Sequence, residues 1–385
     1  MTTVVIAYGQ RTQTELDTGL LEGMGYRVRH LSGLSDLSVL GDADALMVTV
    51  QEVTEAVLDA MPACKIVARV GTGLDSVDLD GAARRGVQVT YVADYSVDEV
   101  STHAIALLLA CARRIPQYLD LVRDGRWDSV GAGTIRRLSE QTLGVAGFGR
   151  IGQAAAAKGR GLGLRVLVCD PYRSEEDIRA ASCEPAGWDR LLAESDFLTL
   201  HLPLTPDSER LIGAAALRAM KPTAILINTA RGGLVDEAAL AAAIGAGEIA
   251  GAALDVLAVE PPPADSPLLA DPRVLITPHG AWYSQSAQRD VVVRACEDVQ
   301  RVLSGQPPRS PANQPVASPS LPDPAPRQGG RRPCASPVSR PSGPTASRAC
   351  CSSRCTPTPG SPGSARPASG WPPSRHTCTR RRRRS

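Results

Sequence analysis

Two short segments carry most of the chemistry open to this sequence: Gly147-Phe148-Gly149-Arg150-Ile151-Gly152 and Asn228-Thr229-Ala230-Arg231-Gly232-Gly233. The first has the glycine spacing of a turn that cradles phosphate between a strand and a helix. Gly147 permits the tight turn, Gly149 lets the backbone approach a pyrophosphate, and Gly152 lets the helix pack close to the strand. A helix opening at Arg150 and Ile151 would offer free N–H groups and a positive dipole end to the anion. Asp170 ends the next apolar run, 18 residues after Gly152. A carboxylate there accepts both ribose hydroxyls and repels a 2′-phosphate, which selects NAD over NADP. The plainer account of Asp170, a turn residue before Pro171, is weakened by its strand–turn–helix setting.

Arg231 follows an apolar run ending at Asn228 and is flanked by small residues that allow a ligand close. A guanidinium grips a carboxylate through two parallel hydrogen bonds and polarises a carbonyl without titrating. The alternative is a surface arginine closing a turn. Of the five histidines, His279 alone lies in a Thr-Pro-His-Gly loop after a strand near the end of the folded body. Glu260 lies 19 residues earlier. A carboxylate bonded to an imidazole stabilises its cation and fixes its orientation, an arrangement suited to acid–base work on an alcohol or ketone. Alone, His279 would be an ordinary loop histidine as readily as a catalyst. His201 also ends a strand and is expected to shape the cofactor loop rather than transfer protons.

The elements that must position these groups are legible as alternation. Residues 4–7, 45–50, 66–70 and 87–92 have strand patterns, with helices at 15–24, 54–61 and 79–85, which implies a parallel sheet covered by helices. Ser96, with Glu99 three residues on, predicts a capping box opening an Ala/Leu-rich helix toward Arg114. Alternation resumes with strands at 142–146, 165–169, 197–200, 224–228, 251–254 and 274–276, the count of a complete dinucleotide-binding sheet. A helix over 284–303 closes the body.

The chain has 385 residues, 43% hydrophobic, with only two phenylalanines, so its cores must rest on Ala, Val, Leu and Ile. The longest apolar run, 104–112, is nine residues, too short to span a membrane. No leader pattern opens the chain. Cys64, Cys111, Cys169, Cys183 and Cys296 have neither metal spacing nor a secreted pattern, which points to reduced thiols, a cytoplasmic location and no bound metal. Residues 307–385 differ sharply. They hold 18 of the 31 prolines, fourteen arginines against one acidic residue, and Val316, Leu321 and Val338 as their only Val, Leu or Ile. Such a segment cannot offset chain entropy by burial and is expected to be disordered. Its composition is also what GC-rich coding DNA yields when read in a shifted frame. The five arginines at 380–384 are the only feature favouring nucleic acid, and a solvated tail is the preferred account of them, so neither nucleic acid nor membrane is expected as a partner.

The quoted stretches resemble the D-isomer-specific 2-hydroxyacid dehydrogenase family over residues 1 to about 306. The segments at 95–100 and 279–284 are similar to the branch related to the C-terminal-binding-protein corepressors. The resemblance implies a two-domain α/β protein: a flavodoxin-like substrate domain at 1–95, completed by the C-terminal helix at 284–306, and a Rossmann domain at 96–283, with 307–385 outside the family pattern. It implies Arg231, Glu260 and His279 as the catalytic residues. It places Pro203, Thr205, Thr229, Ala230 and Asp255 along the cofactor, the last holding the nicotinamide amide. Val70, Gly71, Thr72 and Gly73 become the loop whose backbone binds the substrate carboxylate, and Trp282 an aromatic wall of the pocket. The implied activity is NAD-dependent, reversible reduction of a small 2-oxo acid to a D-2-hydroxy acid by a homodimer. A corepressor-like protein that senses NAD(H) with little turnover is the competing expectation.

Overall fold

A computed structural model describes residues 1–8 and 19–315. The expected start of the first helix at 15–18, and the expected disorder and arginine run beyond 315, lie outside the described residues. Elements of the first part are β1 (Thr3–Ala7), α1 (Gly19–Gly23), β2 (Arg27–Leu31), β3 (Ala45–Val48), α2 (Glu55–Asp59), β4 (Ile66–Arg69), α3 (Leu79–Arg84) and β5 (Gln88–Tyr91). They are followed by α4 (Val97–Ala112), α5 (Ile115–Arg123), β6 (Thr142–Ala146), α6 (Arg150–Gly161), β7 (Arg165–Cys169), α7 (Glu175–Ala180), β8 (Glu184–Pro185) and α8 (Trp188–Glu194). The body ends with β9 (Phe197–Leu200), α9 (Ala214–Ala219), β10 (Ile225–Asn228), α10 (Glu237–Ala246), β11 (Gly251–Leu254), α11 (Pro267–Ala270), β12 (Val274–Ile276) and α12 (Gln285–Leu303).

The strands form two wholly parallel sheets, in the orders β2-β1-β3-β4-β5 and β12-β11-β10-β9-β6-β7-β8. The first is the flavodoxin-like order and the second a Rossmann order with one extra strand. Strands buried on both faces need no polar side, which is why β1 is Thr-Val-Val-Ile-Ala and buried throughout. In the second sheet, alternation sends Leu143, Val145 and Ile227 to one layer and Ala146, Leu200 and Leu254 to the other. In the first sheet, Val291, Val292, Ala295, Cys296 and Val299 of α12 pack against Val4, Ile6, Ile66 and Ala68.

Three expectations need correction. The sequence patterns omitted β2 and β8. β2 is the polar Arg-Val-Arg-His-Leu edge strand, half-buried at most, and β8 is two residues long and ends in proline. The capping box at Ser96 does not form; Ser96 is buried without a side-chain cap bond, and Glu99 instead accepts 2.7 Å from Ser284 Oγ at the start of α12. The body also does not end at 306. Ala312 N–H donates to Val89 O, Tyr91 N–H donates to Ser310 O, and Thr90 bridges Pro311 in antiparallel fashion at the β5 edge. The Asn313 amide donates 2.9 Å to Val87 O and accepts 2.7 Å from Val89 N–H. A composition count over 79 residues cannot see one asparagine completing an open strand edge.

Candidate active site

All strands of the second sheet run parallel, so their carboxyl ends share one edge, where ligands of open α/β sheets bind. The chain reverses direction across the sheet between β6 and β9, and the glycine turn lies there. Gly147 has φ +91, and a Cβ on it would lie 2.5 Å from the His201 carbonyl oxygen. A Cβ on Gly152 would overlap the Gly147 carbonyl, so β6 and α6 approach only through glycine. Gly149 faces open space and begins α6 without a side-chain cap, leaving the first N–H groups, at Arg150 and Ile151, without one. Asp170, just past β7, accepts 2.6 Å from Phe148 N–H and 2.8 Å from Tyr172 N–H, which ties the acidic position to the glycine turn.

Behind the turn, His201 donates its N–H to Ala146 O at 2.8 Å, and its Nε2 is 3.0 Å from Thr199 Oγ1. Burial pulls its imidazole down to about 4, so it is neutral, as a residue shaping a loop should be. Pro203 and Thr205 follow, stitched by the buried Ser208, whose hydroxyl donates 2.7 Å to Pro203 O and accepts 2.8 Å from Thr205 N–H. After β10, the buried Asn228 side chain accepts 3.0 Å from Ala230 N–H and donates 2.8 Å to Arg231 O, which fixes the arginine loop. Thr229 Oγ1 is buried there without a hydrogen-bond partner. An uncapped helix start facing open space, a carboxylate past the neighbouring strand and this orphaned hydroxyl together fit a dinucleotide laid along the edge.

Asp255 directly follows β11 and is 2% exposed. Its carboxylate accepts from Thr277 Oγ1 at 2.5 Å and from the N–H groups of Gly280 and Ala281 at 2.9 Å each. His103 of α4 reaches Thr277 Oγ1 at 3.0 Å. The loop after β12 is therefore pinned around Asp255, and His279 sits in it at φ +54 with its N–H donating to Asp255 O. Its Nδ1 lies 2.8 Å from Glu260 Oε2, while Glu260 Oε1 accepts 2.9 Å from Leu257 N–H. The structure thus brings Glu260 and His279 into direct contact.

Arg231 faces the other sheet. Its Nε donates 2.9 Å to Asp75 Oδ1 and its Nη1 donates 2.7 Å to Ala230 O. A Cβ on Gly73 would overlap the guanidinium, which places Arg231 against the loop of Val70, Gly71, Thr72 and Gly73 after β4. Gly71 has φ +148, and Thr72 Oγ1 donates 3.0 Å to Val92 O. The Arg69 guanidinium covers Gly71 with its Nε unpartnered; burial pulls its pKa down, and the Arg231 charge adds to that. Trp282 is tilted against Tyr95 at 6.3 Å between ring centroids. Asp75, Arg69 and Ser208 carried no sequence signal of their own, and Asn228 only that of a strand end; adjacency of Asp75 to the glycine loop was the one available hint.

Residues 105–281 match the sequence model described as D-isomer specific 2-hydroxyacid dehydrogenase, NAD binding domain. The chain is 37% identical over 295 residues to D-3-phosphoglycerate dehydrogenase of Synechocystis sp., which covers 75% of this chain and 53% of that protein. It is 38% identical over 280 residues to glyoxylate reductase of Korarchaeum cryptofilum, which covers 71% of this chain and 84% of the relative. A crystal structure of D-lactate dehydrogenase from Aquifex aeolicus, complexed with NAD and lactic acid, is similar with a TM-score of 0.72 and 28% identity, over 78% of this chain and 96% of that one. The chain spans about half the length of the curated phosphoglycerate dehydrogenases it matches. The second sheet is an NAD-binding domain, and NAD is the cofactor. On its fold, its site and these similarities, the chain belongs to the D-isomer-specific 2-hydroxyacid dehydrogenase family.

Proposed function

We propose that the protein reduces a small 2-oxo acid to the D-2-hydroxy acid, reversibly. The observation that carries this is the Glu260–His279 pair at 2.8 Å, on the same sheet edge as Arg231. NADH, when bound along this edge, would supply the hydride for C2. Arg231 holds the substrate carboxylate and polarises the carbonyl, and the backbone of Val70, Gly71, Thr72 and Gly73 seats the carboxylate from the first sheet. Glu260 occupies Nδ1 of His279 and orients the ring, which leaves Nε2 to give a proton to the C2 oxygen. In the oxidative direction the same nitrogen takes the proton back. Gly147, Gly149, Arg150, Ile151, Gly152 and Asp170 hold the adenosine and pyrophosphate half of NAD. Pro203, Thr205, Thr229, Ala230 and Asp255 line its remainder, and Trp282 walls the substrate.

We take 1–95, with the C-terminal helix at 284–306 and the docked segment at 309–313, as the substrate domain and 96–283 as the cofactor domain. The protein is a cytoplasmic homodimer in this account. Support for a dimer comes from Ile115, Leu119 and Val122 of α5, with Trp127 and Val130 beyond it, all exposed, Trp127 at 93%. Cys64, Cys111, Cys169 and Cys183 are free thiols. Among the described residues no helix is long and apolar enough to cross a membrane. The test is steady-state turnover with NADH and a panel of glyoxylate, hydroxypyruvate, 3-phosphohydroxypyruvate and bulkier 2-oxo acids. Saturable NADH oxidation with at least one member is expected; none with any member would contradict the assignment.

A further inference from the structure

We propose that Asp75 is a positioning residue that aims the Arg231 guanidinium at the substrate across the cleft between the two sheets. The proposal rests on the reaction assigned above. Arg231 belongs to the loop after β10 and Asp75 to the loop after β4, 156 residues apart in the chain. A guanidinium is a rigid plane with five N–H donors. Here two different nitrogens are committed, Nε to Asp75 Oδ1 at 2.9 Å and Nη1 to Ala230 O at 2.7 Å. Two bonds from different corners fix both the plane and its rotation. The remaining nitrogen, Nη2, lies against Gly73, where a Cβ would overlap it. The uncommitted edge therefore points to the loop assigned to the substrate carboxylate. Without Asp75, only the carbonyl of the neighbouring residue would restrain a long side chain.

Charge supports the same role. Arg69 lies over Gly71, so two guanidinium groups flank one short loop and repel each other. Asp75 is the carboxylate that both sense. Burial pushes its carboxyl up, but the Arg231 charge and hydrogen bond, with Arg69 behind them, outweigh burial and hold it below the usual carboxylate range. As a stability element the pair is unremarkable: Asp75 is 46% and Arg231 27% exposed, and such ion pairs contribute little. The effect of removing Asp75 should thus fall on substrate binding and not on the fold.

The experiment uses the full chain with NADH bound, oxamate as the probe of the 2-oxo acid site, and the variants Asp75→Asn and Asp75→Glu. Expected for Asp75→Asn are an unchanged NADH Kd, an unchanged melting temperature, and a loss of oxamate affinity with a rise in KM of roughly 10-fold or more, the kcat loss being smaller. Asp75→Glu should recover part of the affinity. In an Arg231→Met background, Asp75→Asn should have no further effect on oxamate binding. Wild-type oxamate affinity and KM in Asp75→Asn, or an equal loss in the Arg231→Met background, would overturn the proposal. Should Asp75→Asn fail to fold, Asp75→Glu carries the same comparison through its displaced carboxylate, with wild-type affinity and KM counting against the role. Failure of wild-type protein to turn over any 2-oxo acid sinks the assigned reaction itself, whereas turnover with an unaltered KM in the variants sinks only the role of Asp75.

Discussion

His279 occupies a left-handed backbone conformation, φ +54, that non-glycine residues adopt at a cost of order 1–3 kcal/mol. The Asp255 carboxylate and carbonyl hold that loop, and Glu260 orients the ring. His279→Ala is therefore expected to lower kcat by roughly 10²–10⁴-fold while the NADH Kd, read by fluorescence titration, changes little. Glu260→Gln should lower kcat with little change in the NADH Kd, because an amide holds the His279 ring less firmly than the carboxylate does; a wild-type kcat would argue against the pair. Asp170→Ala should weaken NADH and narrow its advantage over NADPH, as measured by kcat/KM for both. The placement of Arg231, Asp255, Glu260 and His279 past strand ends was legible, because Arg231 follows β10, Asp255 and Glu260 follow β11, and His279 follows β12, each beside turn-forming or small residues. Asp75 and Arg69 were not, because their relation to Arg231 is a contact between distant loops that no local pattern encodes.

At the scale of elements, apolar runs revealed the buried parallel strands, and alternation with helices revealed both sheets. The misses share a cause: β2, β8 and the segment at 309–313 lie at sheet edges, where one side faces solvent and the apolar signal fades. Asn313 makes the last of these testable. Its amide satisfies Val89 N–H and Val87 O on an otherwise open edge. Asn313→Ala should cost about 1–3 kcal/mol by leaving them unpaired, seen as a lower melting temperature. Truncation after Pro308 should cost at least as much, and truncation after Pro315 very little. Equal melting temperatures for both truncations would show that the docked segment adds nothing.

At the scale of the molecule, stability should depend on pH through His201. Its folded pKa of about 4 lies below the ordinary 6.5, so the unfolded chain takes up a proton that the native state refuses. Stability is complete above pH 6.5 and falls as pH drops toward 4, by on the order of 3 kcal/mol. Urea midpoints across that window should show the loss, and His201→Asn should remove this component. The apolar surface at Trp127 should join two copies, so Trp127→Glu is expected to shift sedimentation from dimer to monomer. Hydride delivery to one face of C2, with a proton from His279, is read most directly in the configuration of the product. The protein, NADH and a turned-over 2-oxo acid should give one D-2-hydroxy acid per NADH oxidised, resolved by chiral chromatography. An L or racemic product, or NADH bound without any 2-hydroxy acid formed, would contradict it.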